Sequence, residues 1–209
     1  MIYKLILLRH GESVWNLENR FTGWTDVGLT KNGKNEAKKA GILLLNENLK
    51  PKTVFASYLR RAIKTSKICL KQINNSKAKV IYDWRLNERH YGNLQGLNKT
   101  ETAKKFGSDQ VLVWRRSYDT PPPPLNKDDN RHPKNDSLYK NIQQNLLPNA
   151  ESLKDTLERV KPLFIKQILP QLKIDKNILI VAHGNSLRAI VKMLKNLSSD
   201  EVLNLNIPT

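Results

Sequence analysis

Apolar residues along the chain follow two different rhythms. Short continuous runs at Leu5–Leu8, Thr53–Ala56, Val80–Tyr82 and Ile178–Ala182 have the length and composition of strands buried on both faces of a sheet. Between them lie stretches with helical spacing. Ala37, Ala40, Gly41, Leu44 and Leu45 share one face of a helix starting near Thr30, and Leu153, Leu157, Val160, Phe164 and Ile168 share another behind Ser152 as N-cap. A third helix begins at Asn185 with Leu187, Ile190, Val191 and Leu194 turned inward, and a short fourth carries the capping-box spacing Ser198-x-x-Glu201. Strands alternating with helices predict an α/β fold, a three-layer sandwich with a mostly parallel central sheet flanked by helices.

The alternation breaks between Asp83 and about Ala150. No clear strand is present there, Asn, Lys and Pro are frequent, and Pro121-Pro122-Pro123-Pro124 reads as an extended polyproline segment. A loop of this length in a compact domain is usually functional. With no internal repeat and no linker, residues 1–209 are expected to form one domain with a functional insertion at about 83–150.

Composition narrows the classes of function. No apolar run approaches the ~20 residues of a membrane span, and Lys4–Leu8 is too short for a signal peptide and lacks a small-residue cleavage site, so the chain reads as cytoplasmic, with no membrane partner. The single cysteine, Cys69, excludes an internal disulfide framework and a Cys-based zinc cluster, and is expected to be a buried, inert thiol. Lys and Arg number 36 against 19 Asp and Glu, a formal charge of +17 that fits nucleic acid, anionic lipid or a strongly anionic substrate. The cations are scattered as singles and pairs such as Lys38-Lys39, Lys104-Lys105 and Arg115-Arg116, with no basic run interleaved with aromatics, so no nucleic-acid partner is expected.

The chemistry is concentrated at strand ends. The first strand runs into Arg9-His10-Gly11-Glu12-Ser13 and the last into His183-Gly184-Asn185-Ser186. Ligands of open α/β sheets bind beyond the carboxyl ends of the strands. One histidine there is more often structural than catalytic; two, each followed by Gly and accompanied by Arg9 and Arg61, point to catalysis.

These segments, with Val14-Trp15-Asn16, Asn19-Arg20-Phe21-Thr22-Gly23-Trp24, Leu86-Asn87-Glu88-Arg89-His90-Tyr91-Gly92, Leu94-Gln95-Gly96-Leu97-Asn98-Lys99, Trp114-Arg115-Arg116 and Leu187-Arg188, are dispersed over nearly the whole chain. Together the sequence resembles the histidine phosphatase superfamily and, within it, the cofactor-dependent phosphoglycerate mutases. The resemblance implies interconversion of 3- and 2-phosphoglycerate in glycolysis, primed by 2,3-bisphosphoglycerate, with no metal, in a cytoplasmic homodimer or homotetramer. A phosphatase of the same superfamily is the alternative enzyme, and an inactive basic scaffold or nucleic-acid-binding protein the alternative of another class.

A neutral imidazole nitrogen of His10 can attack a phosphoryl group in line if the phosphate oxygens are neutralised and the ring is held in one tautomer. Arg9, Arg61 and His183 are the candidates for neutralisation, with His183 protonated under the influence of the phosphate. Arg61 is preferred over its neighbour Arg60 because the family pattern falls on the residue before Ala62. Gly11 and Gly184 are read as positions where backbone approaches the phosphate closely. Glu88 is the motif residue able to move a proton at the substrate hydroxyl; without the motif it would read as a partner of Arg85 or Arg89. The resemblance places Asn16, Thr22, Gly23, Arg89, Tyr91, Lys99, Arg115, Arg116, Gly184 and Asn185, beside Arg9, Arg61 and Glu88, around the substrate's carboxylate and phosphates.

Trp15, Trp24, Trp84 and Trp114 read as packing anchors, His132 as exposed and inert, and His90 as contributing through its backbone rather than its ring. In the family the chain continues past Asn206-Ile207-Pro208-Thr209 with another strand and a Lys/Gly-rich tail. The same continuation is expected here, because a domain ending one strand early exposes a sheet edge.

Overall fold

The computed structural model describes residues 2–208. Its sheet holds the four anticipated strands, β1 (Lys4–Arg9), β2 (Thr53–Ala56), β3 (Lys79–Tyr82) and β4 (Asn177–Ala182), in the order β1-β4-β2-β3 with every pairing parallel. Two helices cover one face, α2 (Lys31–Asn46) and α3 (Arg60–Gln72). There Leu44, Ala62, Cys69, Leu70 and Ile73 pack on Val54, Ala56, Leu179 and Val181. The other face is covered by α6 (Leu153–Leu163), a π-helical turn (Phe164–Ile168), α7 (Leu169–Asp175) and α8 (Gly184–Lys195). Val160, Leu163, Phe164, Ile168, Leu187 and Ile190 meet Phe55, Ile178, Ile180 and Ala182 there. Alternate residues of β2 and β4 thus face opposite layers, the period-2 geometry that builds a sandwich with two cores around one sheet.

Several expectations are corrected. β1 and β3 are only partly buried rather than buried on both faces, because each stands at an edge of the sheet with one strand partner among the described residues. Leu45 and Leu194 are 44 % and 51 % exposed, since each lies at the margin of its helix's apolar stripe. The insertion is no plain loop: α4 (Lys99–Phe106), capped by Asn98, and α5 (Ser108–Arg116) stand in it on either side of Gly107. They bury only a narrow stripe, with Val111, Ala103 and Trp114 against Phe21 and Leu94. Short helices α1 (Val14–Leu17) and α9 (Ser199–Asn204) complete the chain. The polyproline stretch forms neither helix nor strand and is stapled from the side: Pro123 and Pro124 carbonyls accept from the backbone N–H and the Nδ2 of Asn93. His132 is 5 % exposed, its Nδ1 accepting the N–H of Lys134 to cap a 3-10 turn.

Cys69 is buried and its thiol pushed up to about 11 by burial, which makes it inert. No helix among the described residues is long and apolar enough to cross a membrane.

Candidate active site

Strand register builds the centre of the site. β1 and β4 are neighbours with Arg9 opposite Ala182, so the residues that follow, His10 and His183, emerge side by side at the carboxyl edge of the sheet. Their ring centroids are 4.8 Å apart. The next strand, β2, delivers Ser57 to the same edge, where its Oγ lies 2.7 Å from His183 Nε2 and accepts the Leu59 N–H.

The turn that carries His10 fixes its ring. Its Nδ1 lies 2.7 Å from the Gly11 carbonyl oxygen. A carbonyl only accepts, so Nδ1 carries the proton and the neutral ring has its lone pair on Nε2. Burial, then the Arg61 and Arg9 charges, hold His10 well below the usual histidine range, against the opposing pull of the Gly11 carbonyl. His183 is depressed in the same direction, by burial and then by Arg61, His10 and Arg9. Both rings are therefore neutral near pH 7.

His10 sits at the base of a cavity of about 260 Å³. Seven cationic side chains line it, Arg9, Arg20, Arg61, Lys99, Arg115, Arg116 and Arg188, against the single carboxylate of Glu88. Arg61 is fully buried on α3 and donates through Nη1 to the Thr25 carbonyl and Nη2 to the Gly23 carbonyl, while its Nε has no partner. Burial lowers Arg61 to about 10, which leaves it charged at neutral pH. Arg9 Nη1 donates to the Ile207 carbonyl at 2.7 Å and its Nε is likewise free, as is the buried Thr22 Oγ1. Unpaired donors are costly inside protein, and all three of these belong to residues that line the cavity. Lys99, whose side chain is lowered by burial and then by Arg115 and Arg9, shares in the same crowding of positive charge.

Glu88 faces the cavity and has no ion-pair partner among the described residues. Its Oε1 accepts the backbone N–H groups of Arg89 at 2.8 Å and Asn185 at 3.1 Å. Arg85, its rival partner from sequence, instead pairs with Asp83 at 2.7 Å. Arg60, set aside in favour of Arg61, lies on the surface near Asp26.

Of the candidate residues, Arg9, His10, Asn16, Thr22, Gly23, Arg61, Glu88, Tyr91, Lys99, Arg115, Arg116, Gly184 and Asn185 line this one cavity. Arg89 does not. It is buried one layer back, its Nη2 donating to the Arg115 carbonyl at 2.7 Å and the Tyr91 hydroxyl at 3.2 Å, so that it supports the wall rather than forming it. Tyr91 is lowered overall: burial raises it, but the Arg89 charge and the hydrogen bonds from Arg89 and Asn185 outweigh burial. His183 lies behind His10 rather than on the cavity surface. Gly11 is corrected too. A Cβ there would meet the Gly33 carbonyl oxygen at 2.1 Å, so helix packing is what demands the glycine. At Gly184 a Cβ would lie 3.7 Å from Glu88 Oε2, in ordinary contact.

Arg20, Phe21, Arg188, Asn206 and Ile207 line the cavity without having been assigned from sequence. Arg188 was legible: one turn beyond Gly184 and Asn185 on α8 it returns to the same face, where it donates to Asn185 Oδ1. Asn206 and Ile207 arrive through the fold alone, drawn in by Arg9 and by Arg188, which holds the Leu205 carbonyl.

The profile of the histidine phosphatase superfamily (branch 1) matches residues 5–130 and 124–209. A 2,3-bisphosphoglycerate-dependent phosphoglycerate mutase of Hydrogenobaculum sp. (strain Y04AAS1) is 58 % identical over 208 residues, covering 100 % of this chain and 84 % of the relative. One of Parabacteroides distasonis is 53 % identical over 205 residues, covering 98 % and 83 %. The chain belongs to the 2,3-bisphosphoglycerate-dependent phosphoglycerate mutase family. Among solved structures, a mycobacterial glucosyl-3-phosphoglycerate phosphatase complexed with VO3 superposes with a TM-score of 0.74 at 25 % identity, covering 98 % of this chain and 87 % of that one. An Escherichia coli protein described as a putative alpha-ribazole-5'-P phosphatase gives 0.73 at 19 % identity over 100 % and 87 %, a likeness of fold.

Proposed function

We propose that the chain is a phosphoglycerate mutase that interconverts 3- and 2-phosphoglycerate through a phosphohistidine at His10. The observation that carries the mechanism is a neutral His10 with its Nε2 lone pair free, at the base of a cavity with seven cations and one carboxylate. When bound, 2,3-bisphosphoglycerate supplies the phosphoryl group that primes the enzyme. The cavity fits such a polyanion, because Arg9 Nε, Arg61 Nε and Thr22 Oγ1 are buried donors with no protein partner.

His10 Nε2 attacks phosphorus in line, the N–P bond forming as the ester P–O bond breaks and the leaving oxygen takes its proton by way of Glu88, while Nδ1 stays on the Gly11 carbonyl, which stabilises the positive charge the ring acquires. Arg9 and Arg61 neutralise the equatorial oxygens through charge-assisted hydrogen bonds. His183, neutral in the free site, takes a proton as phosphate charge builds beside it. Glu88 moves the proton of the substrate hydroxyl, its Oε1 fixed by two backbone N–H groups. Lys99, Arg115 and Arg116 hold the far anionic groups, and Asn16, Gly23, Tyr91, Gly184 and Asn185 shape the space between, with Arg89 bracing Tyr91 and Arg115 from behind.

Water could accept the phosphoryl group in the same geometry. The mutase reading is favoured because two curated mutases match essentially this whole chain at more than half identity. The family resemblance also supports a cytoplasmic homodimer or homotetramer, which sedimentation tests. A coupled assay with and without added bisphosphoglycerate decides the activity: turnover that rises with primer is expected, and release of inorganic phosphate without isomerisation would overturn the reading.

A further inference from the structure

One costly feature lies outside the cavity. Glu151 and Arg159 form an ion pair whose side chains are only 4 % and 6 % exposed, and neither touches the active cavity. At this depth desolvation offsets most of the Coulombic attraction, so net stability is a poor account of the pair.

Its hydrogen bonds give a better one. Arg159, on α6, donates from Nε and Nη2 to the two Glu151 oxygens at 2.6 and 2.8 Å. The remaining N–H groups of the same planar fork go to a single short stretch of backbone: Nη1 to the Arg85 carbonyl at 2.7 Å and the Asn87 carbonyl at 3.3 Å, Nη2 to the Glu88 carbonyl at 3.2 Å. Glu151 grips the other side of Glu88. Its Oε2 accepts the His90 N–H at 2.8 Å, and its own N–H donates to the His90 carbonyl at 2.9 Å. Trp24 Nε1 adds a 2.6 Å bond to the Glu88 carbonyl, with its ring 5.4 Å from the guanidinium carbon. Beyond the 3-10 turn Trp84–Leu86 this stretch has no helix or strand ladder to fix it, and buried backbone groups must be paired somewhere.

We propose that the Glu151–Arg159 pair is the positioning device for Glu88: it holds the backbone on both sides of that residue so that the carboxylate meets the substrate hydroxyl. The inference rests on Glu88 being the proton carrier. Arg159→Lys keeps the charge Glu151 requires but replaces a planar fork with a single ammonium. Glu151→Gln keeps an oxygen for the His90 N–H and removes the charge. Trp24→Phe leaves both members of the ion pair in place; it removes the indole N–H together with part of a buried ring, so its kcat is read beside its thermal midpoint.

Each variant is to be assayed for kcat, KM and thermal midpoint, alone and combined with Glu88→Gln. Displacement of a reacting group by about 1 Å costs on the order of 10²-fold, so Arg159→Lys and Glu151→Gln are expected to lower kcat by ~10- to 10²-fold, and Trp24→Phe by less, with KM nearly unchanged. In the Glu88→Gln background the same changes should lose most of their effect on kcat, because the group they position no longer titrates. Losses that multiply fully in both backgrounds, or that fall on KM alone, would make the pair a structural brace and overturn the inference while leaving Glu88 as proton carrier. Full turnover by Glu88→Gln alone would instead overturn the reading of Glu88.

Discussion

Gly11 and Gly33 pack backbone to backbone. A Cβ added to Gly11 would lie 2.1 Å from the Gly33 carbonyl oxygen, and one added to Gly33 would lie 2.1 Å from the Glu12 carbonyl oxygen. Backbone cannot swing aside as a side chain can, so the turn carrying His10 is seated on the first turn of α2. Gly33→Ala is expected to cost stability on the scale of overpacking, about 1–3 kcal/mol, and to lower kcat by shifting that turn, although Gly33 touches no substrate. Urea unfolding with parallel kinetics checks both; an unchanged midpoint would show that α2 yields.

Replacing His10 by Ala should abolish mutase and phosphatase activity together, since both pass through the same phosphorylated ring. Labelled bisphosphoglycerate should leave an acid-labile label on the unsubstituted protein and none on the variant. Acid-stable label, or label persisting on the variant, would move the nucleophile elsewhere.

For Glu88→Gln the expected loss of mutase turnover is ~10²–10⁴-fold, as is typical of removing a general acid or base. Phosphorylation of His10 should slow yet remain detectable, and the balance should tilt towards phosphate release. Single-turnover measurements separate the two steps. Full turnover would return Glu88 to the role of a hydrogen-bonded wall residue.

Three of the four buried histidines dominate the acid side of the stability curve and give it a defined sign. His10 and His183 are held well below 6.5 and His90 at about 3, in each case chiefly by burial. Unfolding at pH 5 therefore takes up protons, and the stability these neutral rings contribute is complete above about pH 6.5 and lost as pH falls towards their folded values. Each ring adds up to about 1.4 kcal/mol per pH unit to the slope. The urea midpoint should fall steadily below pH 6.5, while phosphorylation of His10 in the folded enzyme should show no loss near pH 6.5. A nucleophile titrating at 6.5 would contradict the assigned environment.

The sheet could be read from the chain because its four apolar runs are short, continuous and bounded, and His10 and His183 follow the strands that two of them form. Helices α3, α4 and α5 were not legible in the same way. α3 buries Arg61, Thr65 and Ser66 along with Ala62 and Cys69, so its inner face looks half polar in sequence. In α4 and α5 the stronger signals are the Asn98 cap and Gly107 rather than an apolar stripe. His132 looked exposed beside Pro133, and only the packing of the insertion buries it. The chemistry at Glu88 came from a motif, whereas the means of holding it, Glu151 and Arg159, lies more than sixty residues further on and has no local pattern.

The placement of the two histidines on β1 and β4 has a kinetic consequence. These strands come from opposite ends of the described chain, and the pairing of Arg9 with Ala182 closes a loop that contains almost everything else. Contacts of such high order form slowly, and a one-residue slip of β1 against β4 would turn its side chains to the wrong layer and part the two imidazoles. Recovery of activity during refolding should therefore trail the recovery of helical signal, with the catalytic pair reporting the moment at which the two ends of the chain are zipped in register.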